Sequence, residues 1–175
     1  MTIHPIRQLG DPVLRQPAAR VERFDDALAA LAADMIETMY DAPGVGLAGP
    51  QIGRSIRLIV YDDGDGSGAR ALANPEISGL EGEEVMEEGC LSVRGPYAET
   101  KRAARLHVRG QDLTGRPVEF DAEGFLARIM QHETDHLDGM LFIDRIDDEA
   151  RREVMRQLRE QEVSGGRQGR RFRRS

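Results

Sequence analysis

The 175-residue chain predicts a single-domain α+β fold. Three observations carry that reading. An Ala-rich amphipathic stretch lies near the N-terminus, short apolar runs broken by glycines fill the middle, and two helical patterns follow toward the C-terminus. The expected arrangement is an HExxH-bearing helix packed against short, mostly antiparallel β-sheets, with an N-terminal helix and a C-terminal helix. No internal repeat competes with this order.

The first helix is expected over Asp25 to Met39, where Leu28, Leu31, Met35, Ile36 and Met39 recur near helical spacing. A glycine-rich loop follows. Its Gly44 and Gly46 do not make a nucleotide loop, because no helix opens after them. Ile56 to Tyr61 reads as a strand, and Asp62 to Gly68 as a solvated turn; the acidic spacing lacks the terminal Glu of a calcium loop. Further short strands are expected around Leu72, Val85, Leu106 to Val108 and Val118 to Phe120, with Gly110 and Gly115 at turns. The next helix carries Phe125, Leu126, Ile129 and Met130, with Asp121 as the expected N-cap and Gly139 as the stop. Asp147 then caps a last helix through about Gln161, with Asp148 and Glu149 in its first turn.

Gln131-His132-Glu133-Thr134-Asp135-His136 is the segment richest in chemistry. His132 and His136 sit one helical turn apart, so both imidazoles can reach one metal ion, and Glu133 lies beside them within reach of a metal-bound water. Two neutral nitrogen ligands, an ionisable base and an open position are the requirements of a metal-assisted hydrolase. A third ligand is needed. Cys90 is the only cysteine, which excludes an intramolecular disulfide and suits a reducing compartment. A lone cysteine is ordinarily a small buried hydrophobe, but this one follows Gly89 in a segment that is neither an amphipathic helix nor a simple alternating strand.

Three separated blocks, Gly44-Val45-Gly46-Leu47-Ala48-Gly49-Pro50-Gln51, Glu88-Gly89-Cys90-Leu91-Ser92 and Gln131-His132-Glu133-Thr134-Asp135-His136-Leu137, resemble the peptide deformylase family in content and order. The similarity runs from about Ile6 to about Ile146. It implies that Cys90, His132 and His136 bind the metal, that Glu133 is general base and acid, and that Gln51 with the Leu91 backbone N–H forms the oxyanion site. From the residues alone Gln51 reads only as a loop amide capping nearby backbone. Two positions depart from the commonest pattern: Gly49 stands where alanine is usual, which is expected to loosen the Gln51 loop, and Arg94 stands where proline often follows the cysteine block.

The resemblance implies release of formate from N-formylmethionyl ends of new polypeptides. Val45, Gly46, Met86, Gly89, Phe125 and Ile129 are the implied substrate contacts, with Val45, Met86, Phe125 and Ile129 as the apolar wall for methionine. It also implies Fe²⁺ as the usual ion. Two imidazoles and a thiolate also accommodate Zn²⁺, Ni²⁺ or Co²⁺. Metal ligands need orienting partners, and Glu88, Arg102 and Asp135 are the candidates, although their order in the chain does not pair them.

Net charge is −7, but the segment from Ser164 to Ser175 holds five arginines and no acid, leaving −12 on the rest. So acidic a body argues against a general nucleic-acid binder and against specific DNA binding. The expected organisation is a catalytic domain over 1–163 and a flexible Arg-rich tail over 164–175, able to contact the ribosome. No apolar run approaches the roughly 18 residues of a membrane span, and no basic-then-apolar leader opens the chain, which is expected to be a bacterial cytoplasmic protein. Two other readings compete: an ordinary HExxH peptidase drawing its third ligand from Asp144 or Asp147, and a non-catalytic ribosome-associated metalloprotein.

Overall fold

A computed structural model describes residues 2–171, and side chains as far as residue 164. The helices are α1 (Asp26–Asp41), α2 (Gly124–Leu137) and α3 (Asp148–Arg171). The strands are β1 (Gly46–Ala48), β2 (Leu58–Tyr61), β3 (Arg70–Glu81), β4 (Glu84–Cys90), β5 (Val93–Arg102), β6 (Arg105–Gln111) and β7 (Pro117–Glu123). Strands β1, β2, β3, β6 and β7 form one sheet in that order, and β4 with β5 forms a separate two-stranded sheet. All strand pairs are antiparallel, as the α+β reading expects.

The five-stranded sheet lies between two helices. On β2, Leu58 and Val60 face the cluster built on Leu28, Ala32, Met35 and Met39 of α1. Ile59 and Tyr61 face the opposite way, onto Ala127, Ile129 and Met130 of α2. Side chains alternate across a strand, so the unbroken apolar run Leu58-Ile59-Val60-Tyr61 is what a strand covered on both faces requires. A third cluster joins Val93 and Ala98 of β5 to Leu141, Phe142, Ile143 and Val154, and thereby seats α3 behind the small sheet.

Asp25 caps α1, its side chain accepting the Leu28 N–H at 3.1 Å. The start of α2 differs from expectation. Asp121 does not cap it: the β6–β7 ladder pairs Asp121 with His107 and Glu123 with Arg105, so the strand runs directly into the helix with Glu123 as N-cap. Pairing across the sheet, together with the Asp121–His107 side-chain bond, outcompetes local capping. Asp147 does cap α3, accepting from Ala150 N–H at 2.8 Å. Helical backbone then continues past Gln161 to Arg171, so Ser164-Gly165-Gly166 does not break it. Glu and Arg are good helix formers, and i,i+3 and i,i+4 pairs such as Glu153–Arg156 and Arg156–Glu160 favour propagation once a helix is nucleated. Tail flexibility concerns side chains beyond 164 and residues 172–175, which lie outside the described residues. No described helix is long and apolar enough to cross a membrane.

Candidate metal centre

The two imidazoles come from the buried face of α2, stacked one turn apart with ring centroids 5.0 Å apart and planes 73° to one another. The thiol comes from the end of β4. There the β4–β5 register slips between Glu88 and Cys90: Glu88 pairs with Ala98, whereas Cys90 pairs with Val93 across the Leu91-Ser92 turn. The extra residues bulge out on β5, and the slip aims Cys90 at the helix. Its Sγ lies 3.3 Å from His136 Nε2. One donor atom each from Cys90, His132 and His136 all lie within 4.8 Å of one another, and no other such cluster of potential ligands occurs among the described residues. One sulfur and two nitrogens so converged suit a borderline-soft divalent ion.

Asp144 and Asp147, the rival third ligands, stand elsewhere. Asp144 pairs with Arg15 and Arg151 and accepts the Leu141 N–H, while Asp147 caps α3.

His132 points Nδ1 away from the cluster, 3.0 Å from Glu88 Oε2, which leaves Nε2 free to act as a ligand. Glu88 is saturated. Its two oxygens also accept from Arg102 Nε at 2.9 Å, Arg102 Nη2 at 3.0 Å and Arg128 Nη1 at 2.6 Å. Burial alone would raise its pKa; hydrogen bonds from His132 and Arg102 outweigh that and hold it well below the usual carboxylate range. Arg102 also donates to Asp135 at 2.6 Å, and Asp135 accepts from Arg145 at 2.6 Å. The three orienting candidates Glu88, Arg102 and Asp135 therefore form one buried chain.

Glu133 is buried against the backbone of Gly46, where an added Cβ would overlap its carboxylate. One oxygen, Oε2, has no hydrogen-bond partner in the chain. Burial pushes this carboxyl up to about 7, against the lowering influence of His132. Gln51 sits in a short 3₁₀ turn (Gly49–Ile52) and is 1 % exposed. Its Oε1 accepts the Ala48 N–H at 2.9 Å. Since that partner can only donate, the amide nitrogen must face the other way, 3.1 Å from Ser92 Oγ and 3.7 Å from Cys90 Sγ. Gln51 thus caps backbone and presents a donor to the site together. Gly49 is close-packed, not loose: a Cβ there would stand 2.6 Å from Ile56 O and 2.8 Å from Arg54 O.

A cavity of about 640 Å³ opens on this cluster. Val45, Gly46, Gln51, Gly89, Leu91, Phe125 and Ile129 line it with Cys90, His132 and Glu133. Ile129 is buried, whereas Val45 and Phe125 are half exposed at the open side. Met86 lies on β4, half exposed, and is not among the lining residues. Three features are not evident from the sequence. Ser92 is fully buried, accepts from Gln51 and donates its N–H to Cys90 Sγ at 3.4 Å. Arg128 is buried against Glu88; a charged residue one turn before His132 on a helix otherwise apolar at that face was the available signal. The bulge from Arg94 to Tyr97 forms the outer rim, which places Arg94 at the cavity.

Residues 3–152 match the sequence model of the polypeptide deformylase family. The chain is 52 % identical over 165 residues to the peptide deformylase of Acidothermus cellulolyticus, covering 94 % of this chain and 91 % of that protein. It is 51 % identical over 146 residues to that of Halothermothrix orenii, covering 83 % and 95 %. The crystal structure of a peptide deformylase from Legionella pneumophila superposes with a TM-score of 0.88 at 45 % identity, covering 95 % of this chain and 99 % of that one. The matched span contains every residue of the cluster described above.

Proposed function

This chain belongs to the polypeptide deformylase family, metal-dependent hydrolases that remove the formyl group from N-terminal methionine, and from that premise we propose a role for each residue of its site. Cys90, His132 and His136 hold one divalent ion, Fe²⁺ in the cell, with Zn²⁺, Ni²⁺ or Co²⁺ as substitutes. The observation that carries the ligand set is the convergence of one sulfur and two nitrogens within 4.8 Å beside a buried carboxylate whose Oε2 has no partner in the chain. Such an ion, when bound, lowers the pKa of its water to about 7 and polarises the carbonyl under attack.

Glu133 takes the proton of the attacking water and delivers it to the departing nitrogen as the formyl C–N bond breaks and the new C–O bond forms, releasing formate and a free amine. Its burial beside the cluster, with Oε2 left without a partner in the chain, suits both halves of that exchange. The Gln51 amide, its orientation set by Ala48, and the Leu91 N–H donate to the carbonyl oxygen as charge develops. Glu88 keeps the proton of His132 on Nδ1, so that Nε2 presents its lone pair.

Val45, Phe125 and Ile129 form the apolar wall for the methionine side chain, and Gly46 and Gly89 let the substrate backbone pass close to the chain. Met86, outside the lining, serves only at the approach to this wall. The protein works in the cytoplasm on nascent chains. Its Arg-rich end, opposite in sign to the acidic body, docks on ribosomal RNA with salt-sensitive affinity. Ribosome pelleting of the full chain against a version ending at Val163 checks that docking; equal, salt-insensitive partitioning rejects it.

The deciding experiment is formate release from formyl-Met peptides by anaerobically purified protein, with a metal count. Stoichiometric iron with activity supports the scheme. Full activity after Cys90→Ala, or undiminished hydrolysis by Glu133→Ala, would overturn the roles assigned to those two residues.

A further inference from the structure

The metal-binding residues belong to two bodies that share no strand pairing: Cys90 closes the β4–β5 hairpin, which forms its own sheet, and the histidines ride on α2 against the five-stranded sheet. Something must hold hairpin and helix at a fixed distance, because an ion tolerates errors of only about 0.2 Å in its ligand distances. Arg128 spans that seam. It lies on α2 one turn before His132, is 4 % exposed, and reaches three points on the hairpin. Nη1 donates to Glu88 Oε1 at 2.6 Å and to the Thr100 carbonyl at 3.0 Å, and Nη2 donates to the Glu84 carbonyl at 3.0 Å. Both strands are therefore tied to the helix by one planar fork, a geometry that a guanidinium supplies and an ammonium does not. The same Glu88 carboxylate orients His132 through its other oxygen. Arg102 makes a second tie, from Glu88 to Asp135, so Glu88 keeps an ionic partner when Arg128 is removed.

We propose that Arg128 is a positioning residue for the metal centre, clamping the hairpin that carries Cys90 against the helix that carries His132 and His136. Arg128 is among the residues lining the cavity, but its terminal nitrogens are committed to Glu88, Thr100 and Glu84. Its contribution is the spacing between sulfur and imidazoles, and the orientation of His132 through Glu88. The inference rests on the ligand set proposed above.

The test uses the full chain, stripped of metal and titrated with Co²⁺ against a competing chelator. The thiolate-to-cobalt charge-transfer band and the visible d–d bands report ligand geometry, which a residue serving only general stability would not alter. Arg128→Met is expected to weaken Co²⁺ binding about 10- to 100-fold and change those bands, with a circular dichroism spectrum like the parent's. Arg128→Lys, which keeps the charge but cannot serve all three acceptors, is expected to fall between. A folded Arg128→Met with parental affinity and parental bands overturns the proposal. Should that variant not fold, Arg128→Lys decides: affinity within about threefold of the parent overturns the clamp, and a larger loss supports it. Cys90→Ala, run in parallel, separates the two levels. If it binds Co²⁺ as tightly as the parent, the ligand set fails; if it loses Co²⁺ while Arg128→Met keeps it, the clamp alone fails.

Discussion

The Gln51 side-chain oxygen accepts the Ala48 N–H at 2.9 Å, and that single bond decides which end of the amide the site receives. With the oxygen committed to backbone, the nitrogen faces Cys90 and Ser92. A donor held this way needs no reorientation when charge appears on a nearby oxygen.

Gln51→Ala is accordingly expected to lower kcat about 100- to 1000-fold while KM moves little, because the lost hydrogen bond strengthens only as the reaction proceeds. Formate-release kinetics at several substrate concentrations check the split. Metal content equal to the parent's confirms that the loss is not one of loading.

Glu133 gives a pH dependence with a definite sign. In the metal-free protein burial raises its pKa to about 7 from 4.5, so between those values the folded state binds more protons than the unfolded one. Its contribution to stability is therefore present at about pH 4.5 and lost as pH rises through about 7. The loss is on the order of 3 kcal/mol if the unfolded group is ordinary. Glu133→Gln removes that slope, so urea titrations of metal-free parent and variant should converge at acid pH and favour the variant at pH 8. A parallel pH dependence for the two proteins would contradict the assignment.

Gly46→Ala is expected to push the Glu133 carboxylate from its place, since a Cβ there overlaps it. Overpacking of this kind typically costs about 1–3 kcal/mol. Activity should fall by a larger factor than stability, because the displaced group is the proposed base. Thermal melts and kcat measured on one preparation compare the two losses.

His107 lies outside the site, on the outer face of the β6–β7 pair, with Nδ1 2.7 Å from Asp121 and Nε2 2.6 Å from Glu119. Bonds to Asp121 and then Glu119 raise its pKa above the ordinary imidazole value. Its stabilising contribution is fully present below about pH 6.5 and is lost as pH rises through the higher folded value. NMR titration of the His107 ring should give a midpoint above 6.5, and the Tm of His107→Gln should approach the parent's as pH rises.

Much of the site was legible because it follows helical arithmetic. The spacing of His132 and His136 needs no tertiary information, and the same period put Phe125 and Ile129 near them. Cys90 was harder. Its approach depends on a register slip and a two-residue turn, which only the likeness of the Glu88–Ser92 block to a known family supplied. Strand β5 went unread for a physical reason: its inward positions Ala98, Thr100 and Arg102 are small or polar, so alternation is present in burial but absent in hydrophobicity. Arg128 carries only a weak signal, a charge on an apolar helix face, and the carboxylate and carbonyls that receive it come from strands remote in the chain. The expected cap at Asp121 failed because a partner strand claimed that residue first.

Backbone cooperativity ends at the border of the β4–β5 pair, for no ladder rung joins it to the larger layer. The molecule is thus two leaves on a spine. An ion held by the proposed ligands, one from the small leaf and two from α2, would act as a rivet between them. Stripping it is expected to leave the five-stranded leaf's amides protected while those of the small leaf exchange faster, which hydrogen exchange on loaded and stripped protein checks.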